Sequence, residues 1–142
     1  MKDFNEKLLK IIERRNQLAE LSYNDKKYDK IEDQLHDLED EFTDEYGEQM
    51  EDIIRQIQHK YNAWQEVLHP TAYIARKYVE KVDANGNKIY SVTRQDGVGI
   101  ENSETGELKL VYVPLPARLV LTGRHGIHEV WNSNQPDQIN LM

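Results

Sequence analysis

Between Glu66-Val67-Leu68-His69 and Pro70-Thr71-Ala72-Tyr73 this 142-residue chain changes physical character. Before the proline, apolar residues recur at helical spacing in an acidic background. After it, the sequence alternates and carries Gly-centred turns. Proline lacks an amide donor and pushes the preceding residue toward extended geometry. A helix is therefore expected to end at His69 and a strand to begin at Thr71. Charge divides at the same place. Residues 1–69 hold 10 Lys+Arg against 18 Asp+Glu, while residues 70–142 hold 8 of each.

Backward from His69 runs a long apolar stripe: Tyr28, Ile31, Leu35, Leu38, Phe42, Tyr46, Met50, Ile53, Ile57, Tyr61, Trp64 and Leu68. Its mean step is about 3.6 residues, the period of an undistorted α-helix, so one face stays aligned without supercoiling. Gly47 falls inside the stripe and costs about 1 kcal/mol in a helix interior. The unbroken phase predicts one helix through it rather than two. Upstream, Phe4, Leu8, Ile11 and Leu18 define a shorter amphipathic helix, supported by Asp3→Lys7 and Glu6→Lys10 pairs. Arg15 stands where the next stripe residue belongs, and its stem is expected to snorkel along the apolar face. Ser22-Tyr23-Asn24-Asp25 breaks the pattern and turns the chain into an antiparallel hairpin.

Helix lengths then matter. About 40 residues span roughly 60 Å and the first helix only about 30 Å, so half of the long stripe lacks a partner in the hairpin. Exposed stripes of that extent mark interfaces, so either the β half folds back over Met50–Leu68 or a second chain covers it, and both are expected to contribute. Phe42, Tyr46, Met50, Ile53 and Ile57 are thus candidate interface residues, and a homodimer or another protein partner is expected. The sheet is expected to cap the helix end near Trp64 and Leu68.

Beyond Pro70 the sequence reads as five to six short strands. Thr71–Val82 and Lys88–Arg94 flank the hairpin turn at Asn85-Gly86, and Val98–Glu101 follows Asp96-Gly97. Leu108–Val113 and Arg118–Thr122 are the most apolar, with Pro114 and Pro116 between them, and Ile127–Trp131 follows Gly123-Arg124-His125-Gly126. The fold class is α+β: an antiparallel helical hairpin with one long helix, then a small antiparallel β-meander or half-barrel. The domain reading is 1–69, a coiled-coil-like acidic hairpin; 70–131, a β unit packed on the helix end; and 132–142, a polar tail.

Composition narrows the function classes. There is no cysteine, so thiolate chemistry and disulfides are excluded. The N-terminus has no apolar leader and no run approaches the roughly 20 apolar residues of a membrane span, which leads to the expectation of a soluble, cytoplasmic protein. A net charge of −8 repels nucleic acid and anionic membranes. No nucleophile elbow, phosphate loop or dinucleotide fingerprint is present. No catalytic residue, metal site or cofactor is assigned, and enzymatic activity is left open.

One constellation could bind a small anion or nucleotide. Arg118, Arg124, His125, His128 and Trp131 combine cations, a Gly-bracketed turn and an aromatic ring that could stack. The His residues do not have the spacing of a three-ligand metal site. The leading functional expectation is a non-enzymatic interaction or oligomerisation module. The alternatives are anion binding at Arg118/Arg124/His125 and an acidic mimic of DNA.

Overall fold

The computed structural model describes residues 1–102, 106–124 and 126–141. Two helices, α1 (Lys2–Glu20) and α2 (Tyr28–Lys60), precede a 3-10 turn at Pro70–Tyr73. Six strands follow among the described residues: β1 (Val79–Val82), β2 (Lys88–Ser91), β3 (Val98–Asn102), β4 (Gly106–Val113), β5 (Arg118–Gly123) and β6 (Gly126–Asn132). The fold is α+β. Its strands form two antiparallel sheets and not one, a β1-β2 hairpin and a four-stranded sheet in the order β3-β4-β5-β6. No helix among the described residues is long and apolar enough to cross a membrane.

The long helix is continuous through Gly47, which is buried with Phe42 and Met50 on either side. Burying those two large side chains outweighs the local cost of one glycine. The helix does not, however, reach Pro70. It ends at Lys60, and Asn62 takes a left-handed φ of 55°. The Ala63 amide then donates to the Gln58 carbonyl at 2.8 Å, and the Asn62 amide to His59 at 3.1 Å. These are the paired bonds of a Schellman cap with asparagine in the left-handed position. The apolar phase carries on to Leu68 although the backbone has left the helix, and Trp64 is consequently 71% exposed. The expectation that the sheet sits against Trp64 and Leu68 is corrected accordingly.

The sheet packs instead along the middle of the hairpin. Phe4 lies within 5.2–6.4 Å, ring to ring, of Phe42, Tyr46, Tyr112 and Trp131, joining α1, α2, β4 and β6. Phe42, Met50 and Ile57 are wholly buried, Ile53 nearly so, and Tyr46 partly, all in or against one core cluster running from Phe4 to Trp131. These five were the residues expected at an interface between chains. Within the chain they are already covered, because the β half folds back over α2 and removes the imbalance in helix lengths.

Side-chain clamps fix the two halves together. The Arg15 guanidinium bonds Glu39 Oε1 at 2.9 and 3.1 Å, and donates to the carbonyls of Ile74 at 2.8 Å, Ala75 at 3.2 Å and Thr71 at 3.4 Å. Arg15 is therefore a buried-side clamp more than a snorkelling stem. Thr71–Tyr78 is not strand: it starts as a 3-10 turn and then turns its Ile74 and Ala75 carbonyls, with that of Thr71, toward Arg15. Only Val79–Val82 of the expected first strand pairs. Asn16 brackets Tyr78, its amide bonding both the Tyr78 N–H at 2.7 Å and C=O at 2.9 Å. The Asn5 carboxamide oxygen accepts from the Ala117 amide and from Ser133 Oγ.

The remaining boundaries follow the sequence closely. The Asp83 turn closes with Asn87, and Gly86 adopts φ 82°. Pro114 to Ala117 forms the tight link between β4 and β5, with Leu115 at φ 70°. The polar tail folds along β6, the Asn140 amide donating to Val130 at 2.8 Å and Trp131 Nε1 to Pro136 at 3.0 Å.

Candidate functional site

Of the five residues expected to gather around an anion, the four that the structure describes do not gather. Arg118 opens β5 and its guanidinium is turned onto the carbonyls of Pro116 and Pro114 at 3.2 and 3.4 Å, with Glu129 at 3.8 Å. Arg124 is exposed in the turn beyond the other end of β5, six residues away. At about 3.4 Å per residue that places the two backbones roughly 20 Å apart. His128 Nε2 contacts the Asn140 carbonyl at 2.9 Å, which anchors the tail. Trp131 is completely buried beneath Phe4, so its ring is not available for stacking on a ligand. His125 lies outside the described residues. Arg124 alone among the described members presents a free surface charge.

A different surface stands out. Helix α2 carries 12 Asp+Glu against 3 Lys+Arg, so its net charge of −9 exceeds that of the whole chain. Asp33, Asp37, Asp40, Asp44, Glu48 and Asp52 are exposed and recur at steps of three and four, forming one row along the helix. The row was legible in the sequence, but which way it faced depended on the packing of the opposite stripe.

Along this row, α1 and α2 leave a groove of about 700 Å³. Leu38 contributes an apolar surface, Lys10 and Arg14 come from α1, and Asp37, Asp40, Glu41 and Asp44 come from α2. Beyond the groove, Lys7 pairs with Glu45 at 3.3 Å and Glu41 at 3.7 Å. Tyr46 donates to Asp3 Oδ2 at 2.6 Å. That bond holds the Asp3 carboxyl below its ordinary value of 3.8 and, with Asp3 as acceptor, pushes the Tyr46 hydroxyl up to about 12.

No family model matches the chain, and no curated protein or solved structure matches it either. The chemistry must therefore be read from the molecule alone.

On the opposite flank of the hairpin, a recess of about 250 Å³ is lined by Arg15, Tyr28, Glu32, His36, Glu39 and Arg76. Its central cation is spent on Glu39 and three backbone carbonyls, so the recess reads as part of the clamp. Among the described residues no group of three or more His, Asp or Glu side chains is placed to hold a metal ion.

Proposed function

We propose that this chain is a protein–protein interaction module whose recognition surface is the outer face of α2 with the groove beside α1. The partner it fits is a basic amphipathic helix: apolar side chains would rest on Leu38 and the helix stems, and cations would face the carboxylate row. A single observation carries this reading. The exposed carboxylates lie in one uninterrupted row on a 33-residue helix whose opposite, apolar face is packed in the core. Rigidity favours it too, since a surface fixed in advance loses little freedom on binding.

Charge density argues against the narrower idea of a DNA mimic. Nine net charges over a helix of about 50 Å give one per roughly 5.5 Å, whereas duplex DNA carries one per about 1.7 Å. The row is too dilute, about threefold, to compete as a duplex.

The test uses a synthetic peptide with leucines and lysines on opposite helical faces, followed by fluorescence anisotropy. Binding is expected to weaken about tenfold or more as salt rises toward 0.5 M. The triple substitution Asp37→Lys, Asp40→Lys, Asp44→Lys should abolish it. An equal change of charge at Asp83, Glu101 and Glu107 should leave most of it intact. If both triple variants lose binding equally, only net charge matters and the assigned surface is wrong.

A further inference from the structure

The outer edge of β3 is closed in an unusual way. β3 ends its side of the four-stranded sheet, so its outward amide groups have no strand beside them. The side chain of Gln65 takes them up: Nε2 donates to the Gly99 carbonyl at 2.6 Å, and Oε1 accepts from the Glu101 amide at 3.2 Å. One primary amide thus occupies the ring of hydrogen bonds that a neighbouring strand would make. Gln65 is exposed and sits in the stretch 62–69, which has neither helix nor strand. The opposite edge is different, since β6 is met by main chain through the Asn140 amide and the Val130 carbonyl.

We infer that the β3 edge is an interaction surface for β3 of a second copy of this chain, held shut by the Gln65 side chain. Register is the first reason. An antiparallel pairing with its two-fold axis at Ile100 sets Gly99 of each copy opposite Glu101 of the other. Each Gly99 carbonyl then receives the other copy's Glu101 amide, so the pairing reuses the two groups that Gln65 now holds. Charge is the second reason. Lys109 is the cross-strand neighbour of Gly99, and the Glu107–Lys109 pair lies over the glycine, with Glu107 Oε1 3.2 Å and Lys109 Nζ 3.7 Å from where a Gly99 Cβ would lie. Lys109 Nζ is paired with Glu107 Oε1 at 3.1 Å, and Glu101 of the second copy would reach the ammonium across the glycine once the Glu107 carboxylate turns aside. The ammonium would then sit between two carboxylates instead of beside one.

The edge of β1 does not share these properties. In β1, Tyr78 bonds Asn16 outward, so Glu80 and Val82 also point their amides outward. A two-fold pairing centred on either middle residue would oppose Glu80 to Glu80 or Lys81 to Lys81. Like charges directly opposed are destabilising, which is how natural edges are guarded. In the β3 pairing Glu101 faces a glycine and not its own copy, so Gln65 is the guard found among the described residues.

The experiment measures self-association of the full chain by sedimentation velocity from about 1 µM to about 1 mM, a range that spans weak strand pairing. Gln65→Ala, and Gln65→Met as a variant of similar length without donor or acceptor, should each dimerise at least about tenfold more tightly than the natural chain. Adding Gly99→Pro should return both to monomers. The Gly99 amide points away from β4, so proline there removes no bond within the sheet while blocking the edge. Folding of each variant is checked by circular dichroism, and Gln65→Met decides the matter if Gln65→Ala unfolds. Folded Gln65 variants that stay monomeric throughout would overturn the inference. So would association that Gly99→Pro leaves untouched, because it would lie on another surface.

Discussion

Arg15 Nη1 and the carbonyl of Ile74 meet at 2.8 Å although 59 residues separate them in sequence. The same guanidinium holds Glu39, so one side chain ties both helices to the segment that leads into the sheet. With only 18% and 21% of their side-chain surfaces exposed, Arg15 and Glu39 are poorly screened by solvent. Arg15→Ala is expected to cost about 2–3 kcal/mol in urea unfolding, mostly from the carboxylate and carbonyls left behind. Arg15→Lys should recover less than half of the loss, because an ammonium cannot fork to Glu39 and reach Ile74 together. Full recovery with lysine would mean that only the charge matters.

Two of the core tyrosines, Tyr78 and Tyr112, should respond differently. Tyr78 Oη accepts from the Ala75 amide at 2.9 Å and donates to the Tyr112 carbonyl at 2.7 Å. Tyr112 Oη is buried with no partner among the described residues. Tyr78→Phe should cost about 1–2 kcal/mol, and Tyr112→Phe should be neutral or stabilise by up to about 1 kcal/mol. Denaturant midpoints of the two variants check this, and a loss at Tyr112→Phe comparable with Tyr78→Phe would contradict it.

Acid and alkali should both undo the Asp3–Tyr46 link. The folded state holds the Asp3 carboxyl below 3.8, so its contribution is complete above that value and fades as pH falls through the depressed one. The Tyr46 hydroxyl is raised from 10.0 to about 12, so its contribution is complete below 10 and fades as pH rises through about 12. The stability difference between the natural chain and Tyr46→Phe should be flat from pH 5 to 9 and shrink toward pH 2. A difference unchanged at pH 2 would show that the bond does not depend on the carboxylate.

Two glycines offer a contrast. Gly97 has φ 95°, and a Cβ there would press on the Leu110 carbonyl and lie 2.8 Å from Val111 Cβ. Gly97→Ala should cost about 2 kcal/mol or more. Gly47 lies in regular helix, where a Cβ would meet Thr43 Cγ2 at 3.3 Å. Thr43 is held by its hydroxyl bond to the Glu39 carbonyl at 2.8 Å, so it yields only slightly. Gly47→Ala should therefore stabilise, by less than the roughly 1 kcal/mol of helix propensity. Thermal midpoints of the pair separate the cases, and equal losses would mean that Thr43 cannot give way.

Much of the architecture was legible from local pattern. The period of the stripe carried α2 through Gly47, and the turns at Asn85-Gly86 and Asp96-Gly97 together with the apolar runs located β2 to β6 within a few residues. Each of those readings depends on side-chain spacing or on turn chemistry within a few bonds. The end of α2 was local as well, and Asn62 was its signal. It was hidden because Trp64 and Leu68 happen to continue the apolar phase after the helix has stopped.

Burial was not local. Periodicity places Phe42, Met50 and Ile57 on one face, and a partner chain or the chain's own sheet would cover that face equally well in pattern. The same holds for Arg15, whose acceptors at Thr71, Ile74 and Ala75 come from beyond the hairpin, and for Gln65, whose partners are 34 and 36 residues away. A residue's type and spacing specify what it can bond and which face it shares. Which of the available partners it meets is set by how the whole chain closes on itself, since closure alone decides where each surface comes to rest.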